Sequence, residues 1–212
     1  NKLIQKHNLF PDYNQKAILK SKFLFNYIKN ILKNQTRNID TIYYYDDNDI
    51  IRNKIKQDIS SYSDKIKNLP NIIIPELSKL KLGKYTSKQT SKGIKYQIIY
   101  QESKLLLQQD LQQIRPNSLV IFDFNETLVR SEFSKNRIGF NKTQLIHRYI
   151  NVYTQTNSIS KPKLINRNNI LKTLINLEQN NNCILSILSF QQSHIIKEFL
   201  DRIEWYDDIQ IL

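Results

Sequence analysis

The stretch SLVIFDFNETLVRSE, residues 118–132, decides the fold of this chain. It runs from a continuous apolar segment, Leu119 to Phe122, directly into Asp123 and then into a polar turn that contains Thr127. An apolar run of this kind is typical of a strand buried on both faces of a parallel sheet, and ligands bind at the carboxyl ends of such strands. The pattern therefore predicts an α/β domain with Asp123 placed as a nucleophile or metal ligand. An aspartate that caps the next helical turn would give the same pattern.

A second strand of the same type follows downstream. Residues 170–177 have apolar side chains at helical spacing, and the apolar run 183–188 then ends in Ser189. The spacing of 66 residues from Asp123 to Ser189 leaves room for a small insertion and the crossover helix that a parallel connection requires. Residues 191–212 predict a further helix, a turn and another strand.

The segment Asp123-Phe-Asn125-Glu-Thr127 resembles motif I of the haloacid dehalogenase superfamily, a hydrophobic strand followed by Asp-x-Asp-x-Thr. Its Glu-Thr-Leu-Val continuation is similar to the branch of RNA-polymerase-tail phosphatases and their mitochondrial import relatives. The strand that ends in Ser189 is similar to motif II, an apolar strand ending in Ser or Thr. The resemblance covers residues 118–212 and implies a partial Rossmann-like parallel sheet.

The resemblance also implies roles for individual residues. In the family the first aspartate attacks phosphorus and becomes an aspartyl phosphate, while the second protonates the leaving oxygen and later activates water. Asp123 matches the first role and would also contact magnesium in an active enzyme, with Thr127 and Ser189 binding phosphate. Asn125 does not match the second role, because an amide has no titratable proton at working pH.

Two further groups of the family are expected to be missing. Its lysine (motif III) and its acidic pair that helps hold magnesium (motif IV) both lie beyond the motif II helix, and this sequence ends at Leu212 before either is expected. Asp207 and Asp208 lie too near Ser189, and ahead of a strand, to be assigned to metal. We therefore expect a non-catalytic module without a cofactor; the alternative is a magnesium-dependent, aspartyl-phosphate-forming phosphatase or phosphotransferase.

Other catalytic patterns are weak. The three histidines are scattered without metal-ligand spacing, and no glycine-rich phosphate loop is present. The single cysteine, Cys183, lies within an apolar strand and is predicted to be a core residue. One cysteine excludes an internal disulfide, which fits a reducing compartment.

Basic residues are concentrated in the first half of the chain. Residues 1–115 hold 21 basic and 10 acidic side chains, whereas residues 116–212 hold 11 and 9. We predict a basic, mainly helical extension or small domain at 1–115, which ends with a helix at 103–114, and an incomplete α/β domain at 116–212, with Pro116 at the boundary. Such a charge excess favours a polyanion partner, with nucleic acid first and anionic lipid second, although a lysine-rich solvated surface would show it too.

Two segments are candidates for that contact. Residues 15–33 predict a basic amphipathic helix with an apolar stripe that includes Leu24 and Ile28, and residues 77–103 predict a basic loop or hairpin with a short strand at 96–100. The stripe is expected to pack against a neighbouring element. The candidate RNA contacts are the lysines of these segments: Lys16, Lys20, Lys22, Lys29, Lys33, Lys84, Lys88, Lys92 and Lys95.

Between these segments, three tyrosines precede an acidic cluster in IDTIYYYDDNDII, residues 39–51. Tyrosines can stack on bases, but a buried or edge segment is the preferred interpretation here. Helical spacing then resumes through Ile51, Ile55 and Ile59.

These observations predict a structural or binding component of a larger, RNA-containing assembly, such as an organellar ribosome, that contacts RNA and other proteins. The mitochondrial matrix is the expected location, with cytoplasm or nucleus as alternatives. No run of about 18 apolar residues predicts a transmembrane helix. A chance resemblance would leave only a basic scaffold.

Overall fold

The structure is a computed structural model that describes residues 12–34, 37–91, 93–104, 106–128, 167–191, 193–202 and 210–212. In chain order its elements are α1 (Tyr13–Asn34), β1 (Thr41–Tyr45), α2 (Asp49–Ser63), β2 (Asn71–Ile73), β3 (Lys79–Thr90), β4 (Gly93–Lys104), α3 (Gln108–Leu111), β5 (Ser118–Phe122), α4 (Arg167–Gln179), β6 (Ile184–Ile187), α5 (Ser193–Arg202) and β7 (Gln210–Ile211).

Five strands form a single sheet in the order β2-β1-β5-β6-β7, and each neighbouring pair is parallel. The predicted α/β class with a parallel sheet is thereby confirmed. Numbered by their order in the chain, the sheet strands run 2-1-3-4-5, which is a doubly wound order. The direction of winding reverses between β1 and β5, and ligands of doubly wound folds bind at the carboxyl ends of the strands at this reversal.

Alternate side chains of the strands enter two separate cores, because successive residues of a strand point to opposite faces. Tyr43 and Val120 belong to the core on one face, with buried residues of α3, α4 and α5. Ile42 and Leu119 belong to the core on the other face, with buried residues of α1 and α2. The sheet is therefore the middle layer of three.

The predicted elements of the second half of the chain are present. The predicted strand before Asp123 is β5, the predicted helix at 170–177 is α4, and the predicted strand before Ser189 is β6. Cys183 is buried as predicted. The predicted insertion and the turn that contains Asp207 and Asp208 lie outside the described residues.

The first half of the chain differs from its prediction. It is not mainly helical, because it contributes β1 and β2 to the sheet and the antiparallel hairpin β3–β4. The predicted helix at 103–114 is also wrong: β4 continues to Lys104 and only Gln108–Leu111 is helical. Leu106 instead donates its amide to the carbonyl of Thr127, at 3.0 Å, which holds this segment against the loop after β5. The predicted boundary at 115/116 falls within a sheet whose strands come from both sides of it.

Other predictions for this half are confirmed. The amphipathic helix is α1, the helix through Ile51 is α2, and the basic segment is a hairpin. The three tyrosines lie in β1, which is an internal strand with every residue buried. Within the described ranges, no helix combines the length and the apolar character needed to cross a bilayer.

Candidate functional site

The site lies where β1 and β5 end side by side. Tyr45 and Phe122 are register partners and the last residues of these strands, so the following residues, Asp46 and Asp123, emerge at the same edge of the sheet. The amide of Asp123 donates to the carbonyl of Tyr45 at 2.8 Å, which continues the pairing by one step. Both aspartates are buried. The winding of the sheet reverses between these two strands.

A lysine from α1 joins the two carboxylates. The Nζ of Lys20 donates to Oδ1 of Asp123 at 2.6 Å and to Oδ2 of Asp46 at 2.8 Å. Lys20 is only 3% exposed, because it lies on the same stripe of α1 as Ala17 and Leu24, which pack on the sheet. The helix therefore delivers a buried cation to the strand ends.

Asp46 is held by several donors besides Lys20. The hydroxyl of Tyr44 donates to Oδ2 of Asp46 at 2.7 Å, and the backbone amide of Asn48 donates to Oδ1 at 2.9 Å. The buried Arg52 donates to the carbonyl oxygen of Asp46 and pairs with Asp49. The position of the Asp46 carboxylate is thus fixed by its surroundings.

Asp47 completes an acidic cluster. Carboxylate oxygens of Asp46, Asp47 and Asp123 lie within 4.8 Å of one another. Two of these carboxyl groups, those of Asp46 and Asp123, pair with one ammonium group, that of Lys20, so the cluster carries an excess of two negative charges when all three are ionised. Hard divalent cations such as Mg²⁺ bind through carboxylate oxygens, so both the ligand type and the charge of this cluster fit magnesium.

The pKa values of the cluster reflect this crowding. Burial and the charges of Asp123 and Asp46 raise the pKa of Asp47 to about 8. Burial also raises the pKa of Asp123 to about 6, in the same direction as the charge of Asp46 and against that of Lys20. Burial acts to lower the pKa of Lys20, but its two carboxylate partners outweigh it, so the pKa lies above the ordinary value and the side chain stays charged.

The predicted catalytic residues occupy different parts of this region. Thr127 is buried beside the cluster, and its Oγ1 accepts the amide of Asp47 at 3.1 Å, which ties the loop after β5 to the end of β1. Asn125 is half-buried in the same loop. Ser189 follows β6, and its Oγ accepts the amide of Gln191 at 3.1 Å. It lines a cavity that also contacts Lys20.

Glu126 holds the loop in an unusual conformation. Its φ of 62° lies in the left-handed region, which costs a residue with a Cβ roughly 1 kcal/mol or more. The strained residue lies between Asn125 and Thr127, three residues after Asp123. Backbone strain of this type is concentrated at functional sites, because surrounding contacts must maintain it.

Of the lysines predicted to contact RNA, Lys20 was predicted wrongly. It is buried between two carboxylates and has no access to a phosphate backbone. Three other lysines of α1 are exposed: Lys22, Lys29 and Lys33. Lys16 is half-buried, with its Nζ 5.2 Å from the centroid of the Tyr13 ring.

The remaining lysines lie in the hairpin. The backbone positions of three are in β3 and β4: Lys84, Lys88 and Lys95. Lys92 lies outside the described residues. The RNA contact stays a prediction for these positions.

Sequence reasoning missed Lys20, Asp46 and Asp47 as site residues, although two signals were present. The strand 41–45 runs into Asp46 in the same way that β5 runs into Asp123. Lys20 interrupts the apolar stripe of α1, and a charged side chain on a buried stripe indicates a buried partner.

Comparison with protein-family models, with characterised proteins and with solved structures gave no match to this chain.

Proposed function

We propose that the residues around Asp123 form a magnesium-dependent phosphoryl-transfer centre of the haloacid dehalogenase type. The observation that supports this most strongly is the convergence of Lys20, Asp46 and Asp47 on Asp123. The resemblance calls for a lysine and an acidic pair that were expected to be missing. Lys20 matches the lysine, and Asp46 and Asp47 match the acidic pair. All three precede motif I in the chain instead of following motif II. The proposed domain therefore has the family's groups in a permuted order.

Each side chain has a role that follows from its contacts. Asp123 is the nucleophile, since it directly follows the central strand and its carboxylate is partly neutralised by Lys20. Lys20 stays positively charged and stabilises negative charge on the transferred phosphoryl group. Asp47 and Asp123 are the side chains that would hold Mg²⁺, with Asp46 beside them. When bound, the cation neutralises the phosphate oxygens and the cluster's excess negative charge.

Asn125 limits the chemistry of this centre. Formation of an aspartyl phosphate requires only the nucleophile, a neutralising environment and a leaving group that departs without a proton. Hydrolysis of that intermediate requires a base to activate water, and the amide of Asn125 cannot supply one. We therefore propose a centre that accepts a phosphoryl group on Asp123 more readily than it releases phosphate.

A second candidate is the non-catalytic, RNA-associated module that the sequence predicts. Asn125 also favours it, as do the exposed lysines Lys22, Lys29 and Lys33 on one helix. In this case the Lys20–Asp123 pair would serve only the stability of the fold. The two candidates differ in whether Asp123 ever reacts.

The test is to incubate the purified chain with Mg²⁺ and acetyl phosphate, whose acetate leaves without a proton, and to measure intact mass. We expect one added phosphoryl group, located on Asp123 by peptide mapping, that depends on Mg²⁺. Asp123→Asn should abolish it. Asp40→Asn is the matched control, because Asp40 is exposed and precedes β1 at the end opposite to Asp46. An unmodified wild-type chain under these conditions would leave only the non-catalytic candidate.

A further inference from the structure

A small apolar cavity lies next to Lys20. It has a volume of about 230 Å³ and is lined by residues of three parts of the fold: Lys20, Phe23, Leu188, Ser189, Phe190 and Leu212. The Nζ of Lys20 lies 6.0 Å from the centroid of the Phe190 ring. Lys20, which also pairs with Asp123, and Ser189 are the polar residues of the lining, and the other four side chains are apolar.

The size and the lining of the cavity match an aromatic ring. A cavity of about 150 Å³ with a similar apolar lining is enough to bind benzene in a small protein, so the present volume accommodates a substituted phenyl group. Phe23 and Phe190 in this lining are 58% and 49% exposed, so both rings have apolar surface in contact with water. A bound aromatic group would cover part of both rings.

We propose that this cavity receives the aromatic leaving group of an aryl phosphate, a phosphate monoester of a phenol. This inference rests on the proposed function and specifies its substrate class. A ring in the cavity would place its phosphate toward Lys20 and Asp123, because the cavity and the acidic cluster share Lys20.

The side chain of Asn125 has no titratable proton to give to a leaving group, and this favours the same substrate class. In the transfer step a bond forms between a carboxylate oxygen of Asp123 and phosphorus, and the bond from phosphorus to the phenolic oxygen breaks. The electron pair of the broken bond goes to that oxygen, and the phenolate takes its proton from water. A phenol has a pKa of about 10, whereas the pKa of water is about 15.7 and alcohols are similarly weak acids. A phenolate therefore needs much less help from an acid than an alkoxide does.

Kinetics with two donors test this proposal. With Mg²⁺ present, we expect kcat/KM for phenyl phosphate to exceed that for glycerol phosphate at least about a hundredfold, the size of a general-acid contribution. Phe190→Ala should raise KM for phenyl phosphate about tenfold and leave the Asp123-dependent reaction with acetyl phosphate unchanged. Ile18→Ala is the matched control, since Ile18 is an exposed apolar residue of α1 away from this cavity.

Binding provides a second measurement that needs no turnover. Phenylphosphonate should bind at least about tenfold more tightly than methylphosphonate in the presence of Mg²⁺, and Phe190→Ala should remove the difference. If acetyl phosphate modifies Asp123 while the two phosphonates bind equally, the cavity proposal is overturned and the proposed function stands. If no donor modifies Asp123 and neither phosphonate binds, both proposals fail.

Discussion

Asp47 and Asp123 retain protons at pH values where exposed aspartates are ionised. Their pKa values of about 8 and about 6 result from burial and from mutual repulsion with Asp46. A carboxyl pKa that is raised in the folded state means that folding is favoured at low pH. The cluster therefore opposes folding once it is ionised, unless a cation neutralises it.

This predicts a specific dependence of stability on pH. The contribution of Asp47 is fully present below its ordinary pKa of 3.8 and is lost as the pH rises through about 8. Without divalent cations, the free energy of unfolding in urea should fall across this interval. Asp47→Asn should reduce that fall by at least about 1.4 kcal/mol, the value of one pKa unit, whereas Asp40→Asn should not. Identical pH slopes for wild type and Asp47→Asn would contradict the raised pKa.

Asn125 leads to a second prediction at this scale. Asn125→Asp introduces the carboxylate of the motif that residues 123–127 resemble, so under the proposed function it should speed the loss of the phosphoryl group from Asp123 by about 10²-fold or more, the usual size of a general-base contribution. The decay is measured by intact mass after acetyl phosphate is removed. Glu126→Gln is the control, because Glu126 is the neighbouring carboxylate. If Glu126→Gln, introduced into the otherwise wild-type chain, slows the loss of the phosphoryl group, Glu126 is the base and the interpretation of Asn125 is wrong.

At the scale of elements, α1 has two different faces. The buried face places Lys20 against the strand ends and packs Leu24 and Ile28 on the sheet, while the opposite face carries exposed lysines. One helix thus serves the candidate site and presents a basic surface. Each face predicts a different effect of removing a lysine.

Removal of the buried lysine should be costly. Lys20→Met leaves Asp46 and Asp123 buried without a cation, which typically costs about 3–5 kcal/mol of the free energy of unfolding. Lys22→Met changes an exposed residue two positions away and should cost no more than about 0.5 kcal/mol. Urea unfolding of both variants at neutral pH measures the difference. Equal losses would mean that the Lys20 pair contributes no net stability.

The outer face of α1 tests the RNA prediction. Replacement of Lys16, Lys22, Lys29 and Lys33 by Gln should reduce the slope of log binding constant against log salt by up to about four units, if all four contact phosphates. Fluorescence anisotropy with a labelled RNA at several salt concentrations gives the slope. Lys20 is omitted from this set because it is buried. A slope equal to that of wild type would exclude α1 as an RNA contact.

The sequence predicts elements better than their assembly. Local periodicity identified α1 and β5, because the spacing of apolar residues along the chain shows which face of a helix or strand is buried. The position of β1 between β2 and β5 could not be derived, since its partner β5 lies more than 70 residues away and local pattern does not encode pairing across that distance. For the same reason the candidate site was only half predicted: Asp123 carried a motif, while the local signals at Lys20 and Asp46 do not show that these residues contact Asp123.

At the scale of the whole molecule, the order of the strands unites the two halves of the chain. The candidate site has Lys20 and Asp46 from one half and Asp123 from the other, and β1 and β5 are neighbours in the sheet. Both cores contain residues from both halves. The predicted division at 115/116 therefore separates strands that bury each other's surface.

This arrangement predicts that neither half folds alone. A fragment of residues 1–115 would expose the edge of β1 and the apolar faces of α1, and a fragment of residues 116–212 would expose the edge of β5. Each should lack a cooperative urea transition by circular dichroism, and mixing them should restore one, together with Mg²⁺-dependent modification of Asp123. A fragment that unfolds cooperatively by itself would show that the sheet is not the common core of both halves. If that fragment is 116–212, Lys20 and Asp46 are not essential to the fold around Asp123.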